Sequence, residues 1–285
     1  MEREFKDKLV HFVQEALEED VREGDHTSLS TIKEEQLGEA QLLVKEDGIL
    51  AGVEVAKEIF TQIDPELAFE LLISDGTAVK YGDIAFRLRG KIHTILKGER
   101  LVLNIMQRMS AIATQTAQYV KAISGTKAKV LDTRKTTPLL RFLEKKAVEI
   151  GGGVNHRFGL YDMILIKDNH VDYAGGISSA VNAAFAYKKE KQLDIAIEVE
   201  VRNFDELREV LSLEAVDRVM FDNFTPAQVQ EAVDLVGGRL VTEASGGITI
   251  KTIADYANAG VDYISVGALT HSVKSLDLSL KAKLI

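Results

Sequence analysis

The chain has 285 residues, 46% of them hydrophobic and 28% charged, with a formal net charge of -9 and no cysteine. That composition fits a soluble globular protein of one large or two ordinary domains. The acidic balance argues against a nucleic-acid partner, and the missing thiols exclude disulfides, thiolate zinc sites and cysteine nucleophiles.

The N-terminal stretch MEREFKDKLVHFVQEALEED is charged throughout, without the apolar core of a signal peptide. No apolar run approaches the roughly 18 residues that span a bilayer, so a cytoplasmic location and no membrane partner are expected. Residues 3–20 place Phe5, Leu9, Phe12, Val13, Ala16 and Leu17 on one face and read as an amphipathic helix. Gly24-Asp25 breaks it. Residues 40–45 and 48–51 read as short strands about the Asp47-Gly48 turn, a hairpin signal. Residues 53–63 are helical in pattern and stop before Pro65. Residues 67–73 and 84–88 read as strands, with Asp75-Gly76 as a turn. A long helix is expected over 97–124, with Leu101, Ile105, Met109 and Ile112 on one stripe and Gly125 at its end.

After that the texture changes. Short apolar or β-branched runs at 130–131, 163–166, 195–199, 219–221, 240–241 and 263–266 alternate with helical segments. Thr137-Pro138 and Thr225-Pro226 each set a capping hydroxyl before a proline at the first helical position. Asn258-Ala259-Gly260 closes another helix. Six such units, with a seventh strand near Val154, predict a parallel sheet closed into an α/β barrel. An open doubly wound sheet is the structural alternative, although no GxGxxG follows the first strand.

In a barrel the site forms at the C-terminal strand ends. The residues there are Asp132, Thr133, Arg134 and Lys135; Lys167, Asp168 and Asn169; Glu198 and Glu200; Asp222 and Asn223; Glu243 with Ser245-Gly246-Gly247; and Gly267. Any one alone would serve as a strand terminator; six together call for a site. Ser245-Gly246-Gly247, leading to a helix capped near Thr249, and Gly267 at the last strand offer backbone N–H groups suited to a phosphate. Glu200 and Asp222 end adjacent strands and suit Mg2+ or a sugar hydroxyl; for Asp222, capping the helix near Thr225 explains it equally well. Between Lys127 and His170 nine Lys and Arg face five Asp and Glu, a basic segment in an acidic protein. Arg141, Lys145 and Lys146 sit at helical spacing and read as scaffold. Arg100, Arg134, Arg157, Lys135 and Lys167 exceed what a monophosphate needs and suit a ligand with carboxylates and a pyrophosphate.

Taken in order, DTRKTTP, GGGVNHRFGLYDMILIKDNH, IEVEV, FDNF, EASGGI and DYISVGALTHS resemble the quinolinate phosphoribosyltransferase family, and GDHTS and GER at 98–100 extend the likeness over nearly the whole chain. The resemblance implies an N-terminal α/β sandwich domain over 1–110 and a seven-stranded α/β barrel over 111–271; whether a tail of about 272–285 returns to the first domain is left open. It implies a homodimer, or an assembly of dimers, in which one subunit covers the barrel mouth of the other. The implied substrates are quinolinate and 5-phosphoribosyl-1-pyrophosphate, with Mg2+. Arg100 would reach across the dimer. Arg134, His156, Arg157 and Lys167 would bind the carboxylates, with Thr133 beside them. Lys135, Glu200 and Asp222 would face the reacting centre and the metal. Ser245, Gly246, Gly247 and Gly267 would hold the 5-phosphate, with His271 close by. Two departures stand out: Leu139 sits where the family often has glycine, and the loop at 213–216 is one residue longer.

Two other functions compete. A Schiff-base lyase of the aldolase type would use Lys167 as nucleophile, but leaves the other cations unexplained. A same-fold paralogue with an altered substrate is disfavoured by the intact RKT, NHR and KDNH motifs.

Overall fold

The computed structural model describes residues 3–283. The chain divides into two compact units. One takes the chain as far as Gln115, with Phe142–Gly151 and the segment from Val273 on; the other comprises Thr116–Arg141 and Gly152–Ser272.

The first unit begins with α1 (Arg3–Asp20), α2 (His26–Thr31), β1 (Leu37–Val44), β2 (Gly48–Ile49), α3 (Val53–Ile63), β3 (Ala68–Leu71), β4 (Ala78–Val79), β5 (Ile84–Lys91) and the start of the 31-residue α4 (Ile92–Ala122). In β1 every second residue is apolar and buried (Ala40, Leu42, Val44), the period of a half-covered strand. β1 lies between β5 and the chain's last strand β12 (Leu278–Lys283) in an antiparallel sheet of order β12-β1-β5-β3. Its register pairs Leu42 with Phe86 and with Leu280. α3 buries Val55, Ala56, Ile59 and Phe60. α4 passes so close to α3 that a Cβ on Gly98 would lie 2.5 Å from the Phe60 ring.

The expected hairpin about Asp47-Gly48 does not form. β2 pairs with β4, because both edges of β1 are taken by β5 and β12. α5 (Arg141–Ile150) also departs from the sequence reading. It starts three residues after Pro138, because Leu139 takes a left-handed φ of 65° that no α-helix tolerates. Although it falls inside 111–271, its body belongs with the first unit. There Phe142 meets the rings of Phe5 and Phe12 edge-on, and Glu144 pairs with Arg108 at 2.8 Å.

The second unit strings together β6 (Lys129–Leu131), β7 (Ile164–Ile166), α6 (Asp168–Ala174), α7 (Ile177–Glu190), β8 (Ile197–Val201), α8 (Phe204–Leu211), β9 (Arg218–Asp222), α9 (Pro226–Val236), β10 (Val241–Ser245), α10 (Ile253–Asn258), β11 (Tyr263–Ser265) and α11 (Ala268–His271). The strands are parallel, in the order β6-β11-β10-β9-β8-β7. The first strand therefore neighbours the last, as closure requires and a doubly wound sheet forbids. Val154 adds a parallel bridge on the other side of β6, to Leu131, so the seventh stave is reduced to one residue.

β8 reads IEVEV and is buried along its whole length. Ile197, Val199 and Val201 are each 0% exposed, a burial that stabilises by about 1.5–3 kcal/mol apiece. The glutamates between them face the barrel interior. Strands buried on both sides are ordinarily apolar throughout, so alternating charge marks a polar lumen. Among the described residues no helix is long and apolar enough to cross a membrane.

Candidate active site

The lumen holds a layer of buried charge. Glu198 and Arg218 are register partners on β8 and β9 and share a face, with Arg218 Nε 3.7 Å from Glu198. Arg218 Nη1 lies 3.5 Å from Glu243 on β10, and its guanidinium stacks over Tyr263 of β11 at 4.2 Å. His156 completes the layer: Nε2 is 3.0 Å from Glu198 and 3.5 Å from Glu243. Ser265 Oγ donates to Glu243. Both glutamates are 0% exposed. Two carboxylates thus face one guanidinium and one imidazole, a balance that makes such burial tolerable.

Burial opposes a charged imidazole, yet the hydrogen bonds and charges of Glu198 and Glu243 outweigh it and raise His156 to about 9. One contact works the other way. The Arg157 N–H points at Nδ1 from 2.7 Å, which favours an unprotonated Nδ1. In either state Nε2 carries a proton and donates it into the carboxylate pair. Burial and Glu243 push Glu198 up, whereas His156 and Arg218 hold Glu243 down against its burial.

Above this layer is the rim. The loop after β6 is fixed by Asp132 Oδ1, which accepts the His156 N–H at 2.8 Å, and by Thr133 Oγ1, which accepts the Lys135 N–H at 3.0 Å. Thr270 Oγ1 donates to the Lys135 carbonyl at 2.8 Å. A Cβ on Gly267 would lie 3.1 Å from the His271 ring and 3.2 Å from Lys135 Cδ, so these three residues meet at one point. Arg157 Nη1 donates to the Met163 carbonyl at 3.2 Å. Burial first, and then the neighbouring Arg134, pull the Arg157 guanidinium below its ordinary value. Arg134 Nε is buried with no hydrogen-bond partner. Two neighbouring cations, one with an orphaned donor, suit a bidentate anion.

Lys167 caps α6 and reaches Glu200 at 2.7 Å. Asp222 Oδ2 accepts from Asn223 Nδ2 at 2.7 Å. Asp222 is not the helix cap: Thr225 fills that place, in a capping box with Gln228. Asn223 takes a φ of 58° and donates its N–H to the Ser245 carbonyl at 2.9 Å. A Cβ on Gly246 would lie 2.7 Å from Asn223 Cγ and 2.8 Å from its N, so only glycine fits beside the Asp222 loop. Gly247 follows with a φ of 61°. The helix after this loop begins at Ile253, later than the cap near Thr249; there the Thr249 N–H bonds Thr252 Oγ1 at 3.0 Å.

Within the second unit these contacts group Lys135 with Gly267 and His271, Arg134 with Arg157, Lys167 with Glu200, and Asp222 with Ser245 and the Gly246 loop. His156, expected among the carboxylate-binding residues, turns instead to Glu198 and Glu243 in the lower layer. Arg100 belongs to the first unit, exposed on α4. Sequence reasoning passed over Arg218 and Tyr263. The period-2 charge of IEVEV, with an arginine opening the next strand, was the signal available.

The metal expectation meets two donor sets. His156, Glu198 and Glu243 cluster within 4.8 Å, but the Arg218 guanidinium shares their carboxylates, and a nitrogen donor does not suit Mg2+. Glu200 and Asp222 offer hard oxygens at the rim and fit a Mg2+ that brings most of its own ligands.

These features define an α/β-barrel enzyme built around a polyanionic ligand. Family models described as the N-terminal and C-terminal domains of quinolinate phosphoribosyl transferase match residues 25–110 and 112–281. The chain belongs to the quinolinate phosphoribosyltransferase family. It is 46% identical over 284 residues to quinolinate phosphoribosyltransferase [decarboxylating] 1b of Nicotiana tabacum, covering 94% of this chain and 81% of that one. It is 45% identical over 269 residues to a probable nicotinate-nucleotide pyrophosphorylase [carboxylating] of Bacillus subtilis, covering 93% and 90%. Among solved structures, NadC from Streptococcus pyogenes superposes with a TM-score of 0.91 at 39% identity, covering 96% of this chain and 95% of that one. The nicotinate-nucleotide pyrophosphorylase of Francisella tularensis gives 0.90 at 41%, covering 98% and 97%.

Proposed function

We propose that the protein transfers the phosphoribosyl group of 5-phosphoribosyl-1-pyrophosphate to quinolinate with loss of CO2, giving nicotinate mononucleotide and pyrophosphate, a step of NAD biosynthesis. The observation that carries this reading is the neighbouring pair Arg134 and Arg157, with a buried, unpartnered Nε on Arg134, on a loop whose Lys135 packs against Gly267 at the last barrel strand.

Arg134, Arg157 and Lys167 clamp the two carboxylates of quinolinate and aim its ring nitrogen, so orientation does much of the work. His156 supports the clamp from below. Ser245, Gly246, Gly247 and Gly267 hold the 5-phosphate, with His271 beside them. As pyrophosphate leaves, positive charge grows at the ribose C1, and Glu200 and Asp222 stabilise it. Lys135 faces the departing pyrophosphate. Glu200 and Asp222 would also hold a Mg2+ that neutralises that leaving group. The nitrogen attacks C1 and becomes a pyridinium. The adjacent carboxylate leaves as CO2, its electron pair stays on the ring carbon, stabilised by the pyridinium, and a proton replaces it. Arg100 serves the site of a second subunit in a homodimer.

The test is nicotinate mononucleotide formation from quinolinate and phosphoribosyl pyrophosphate, with and without Mg2+. Product is expected only when the metal is present. Product from nicotinate and none from quinolinate would refute the substrate assignment. In the same assay, mixed Arg100→Ala and Lys135→Ala subunits should regain activity that neither has alone. No gain despite demonstrated subunit exchange would count against a shared site.

A further inference from the structure

We infer that Arg141 is a positioning residue of the carboxylate clamp: its guanidinium ties together the two loops that carry Arg134 and Arg157. The inference rests on the reaction proposed above. Nε donates to Thr136 Oγ1 at 2.9 Å, Nη1 donates to the Phe158 carbonyl at 3.0 Å, and Nη2 approaches the Arg134 carbonyl at 3.4 Å. The same guanidinium stands over the Phe158 ring at 5.9 Å. One side chain thus holds the main chain at Arg134 and the main chain one residue beyond Arg157.

The need for a tie follows from the charges. Arg134 and Arg157 disfavour each other, and neither loop has regular structure at these residues to resist their separation. Asp132 bonds the second loop at the His156 N–H, and Asp162 pins the Phe158 and Gly159 N–H groups at 2.6 and 2.8 Å. These contacts shape the loops. Arg141 spans both at the level of the cation pair, so the spacing is set before the dicarboxylate arrives. A clamp assembled in advance avoids an ordering cost on binding. Only arginine suits the post: its planar fork presents several donors in fixed directions, whereas a lysine ammonium is a compact point on a flexible stem. Lys146, on the same helix, pairs with Glu149 instead, as a surface helix cation does.

The experiment is steady-state kinetics of Arg141→Lys and Arg141→Ala, each substrate varied separately, with melting temperatures alongside. The quinolinate KM should rise about tenfold or more in both variants, while the phosphoribosyl pyrophosphate KM stays within about twofold. Thr136→Val removes one of the contacts and should raise the same KM by a smaller factor; it keeps the idea testable if the Arg141 variants fold poorly. A wild-type quinolinate KM in folded Arg141→Lys would overturn the inference. So would an equal rise in both KM values with a lowered melting temperature. Wild-type turnover in the same run tests the reaction itself, so the two readings fail separately.

Discussion

Glu198 and Glu200 stand two residues apart on one face of β8, and the barrel treats them differently. Glu198 faces an enclosed partner: the His156 side chain is 6% exposed. Glu200 faces an open one: the Lys167 side chain is 44% exposed. The lower layer compensates its charges internally, with two acids, an arginine and a histidine in ion-pair range of one another. In the upper layer the exposed Lys167 side chain can turn to a ligand, which leaves the Glu200 side chain, 9% exposed, for another cation to match. Depth along one strand thus separates charge that holds the barrel together from charge available for chemistry.

The sharpest test of that division substitutes one acid from each level. Glu243→Gln leaves buried cations uncompensated and should destabilise by about 3–5 kcal/mol, lowering the melting temperature by roughly 10 °C or more. Glu200→Gln should leave melting nearly unchanged and lower turnover by about 100-fold. Equal thermal losses in the two variants would erase the distinction. The second test is titration. His156 is raised from 6.5 to about 9 in the folded protein. Its contribution to stability is therefore complete below pH 6.5 and is lost as pH rises through about 9. Melting temperature should fall across that window, and His156→Gln should flatten the fall. A wild-type profile that is level there would mean that the lower layer does not need the charged ring. The smallest expected effect lies on the rim. Leu139 holds a φ of 65° with 89% of its surface exposed. Leu139→Gly should relieve about 1 kcal/mol of strain, partly offset by chain entropy, and raise the melting temperature by a few degrees at most. A lower melting temperature would show that the exposed side chain contributes more than its backbone strain costs.

The rim was legible in the sequence because each strand of a barrel delivers its last residues to one place, so listing strand ends lists the site. The helices over 3–20 and 53–63 were legible from periodicity alone. The lower layer was legible only in part. Glu198 and Glu243 were visible as strand acids, but Arg218 opens its strand and pairs across the lumen, where reading the ends does not look. The false hairpin has a similar cause. A turn signal is local, whereas β1 finds its neighbours far along the chain, in β5 and β12. Leu139 was noticed as a leucine where the family often has glycine; that its backbone keeps the glycine-like conformation is visible only in three dimensions.

The pairing of β12 with β1 also orders the protein's birth. During synthesis the N-terminal strands emerge first, yet one edge of β1 waits for residues 278–283. The whole barrel has left the ribosome by then. Until residues 278–283 have emerged, β1 presents one open strand edge to whatever lies nearby.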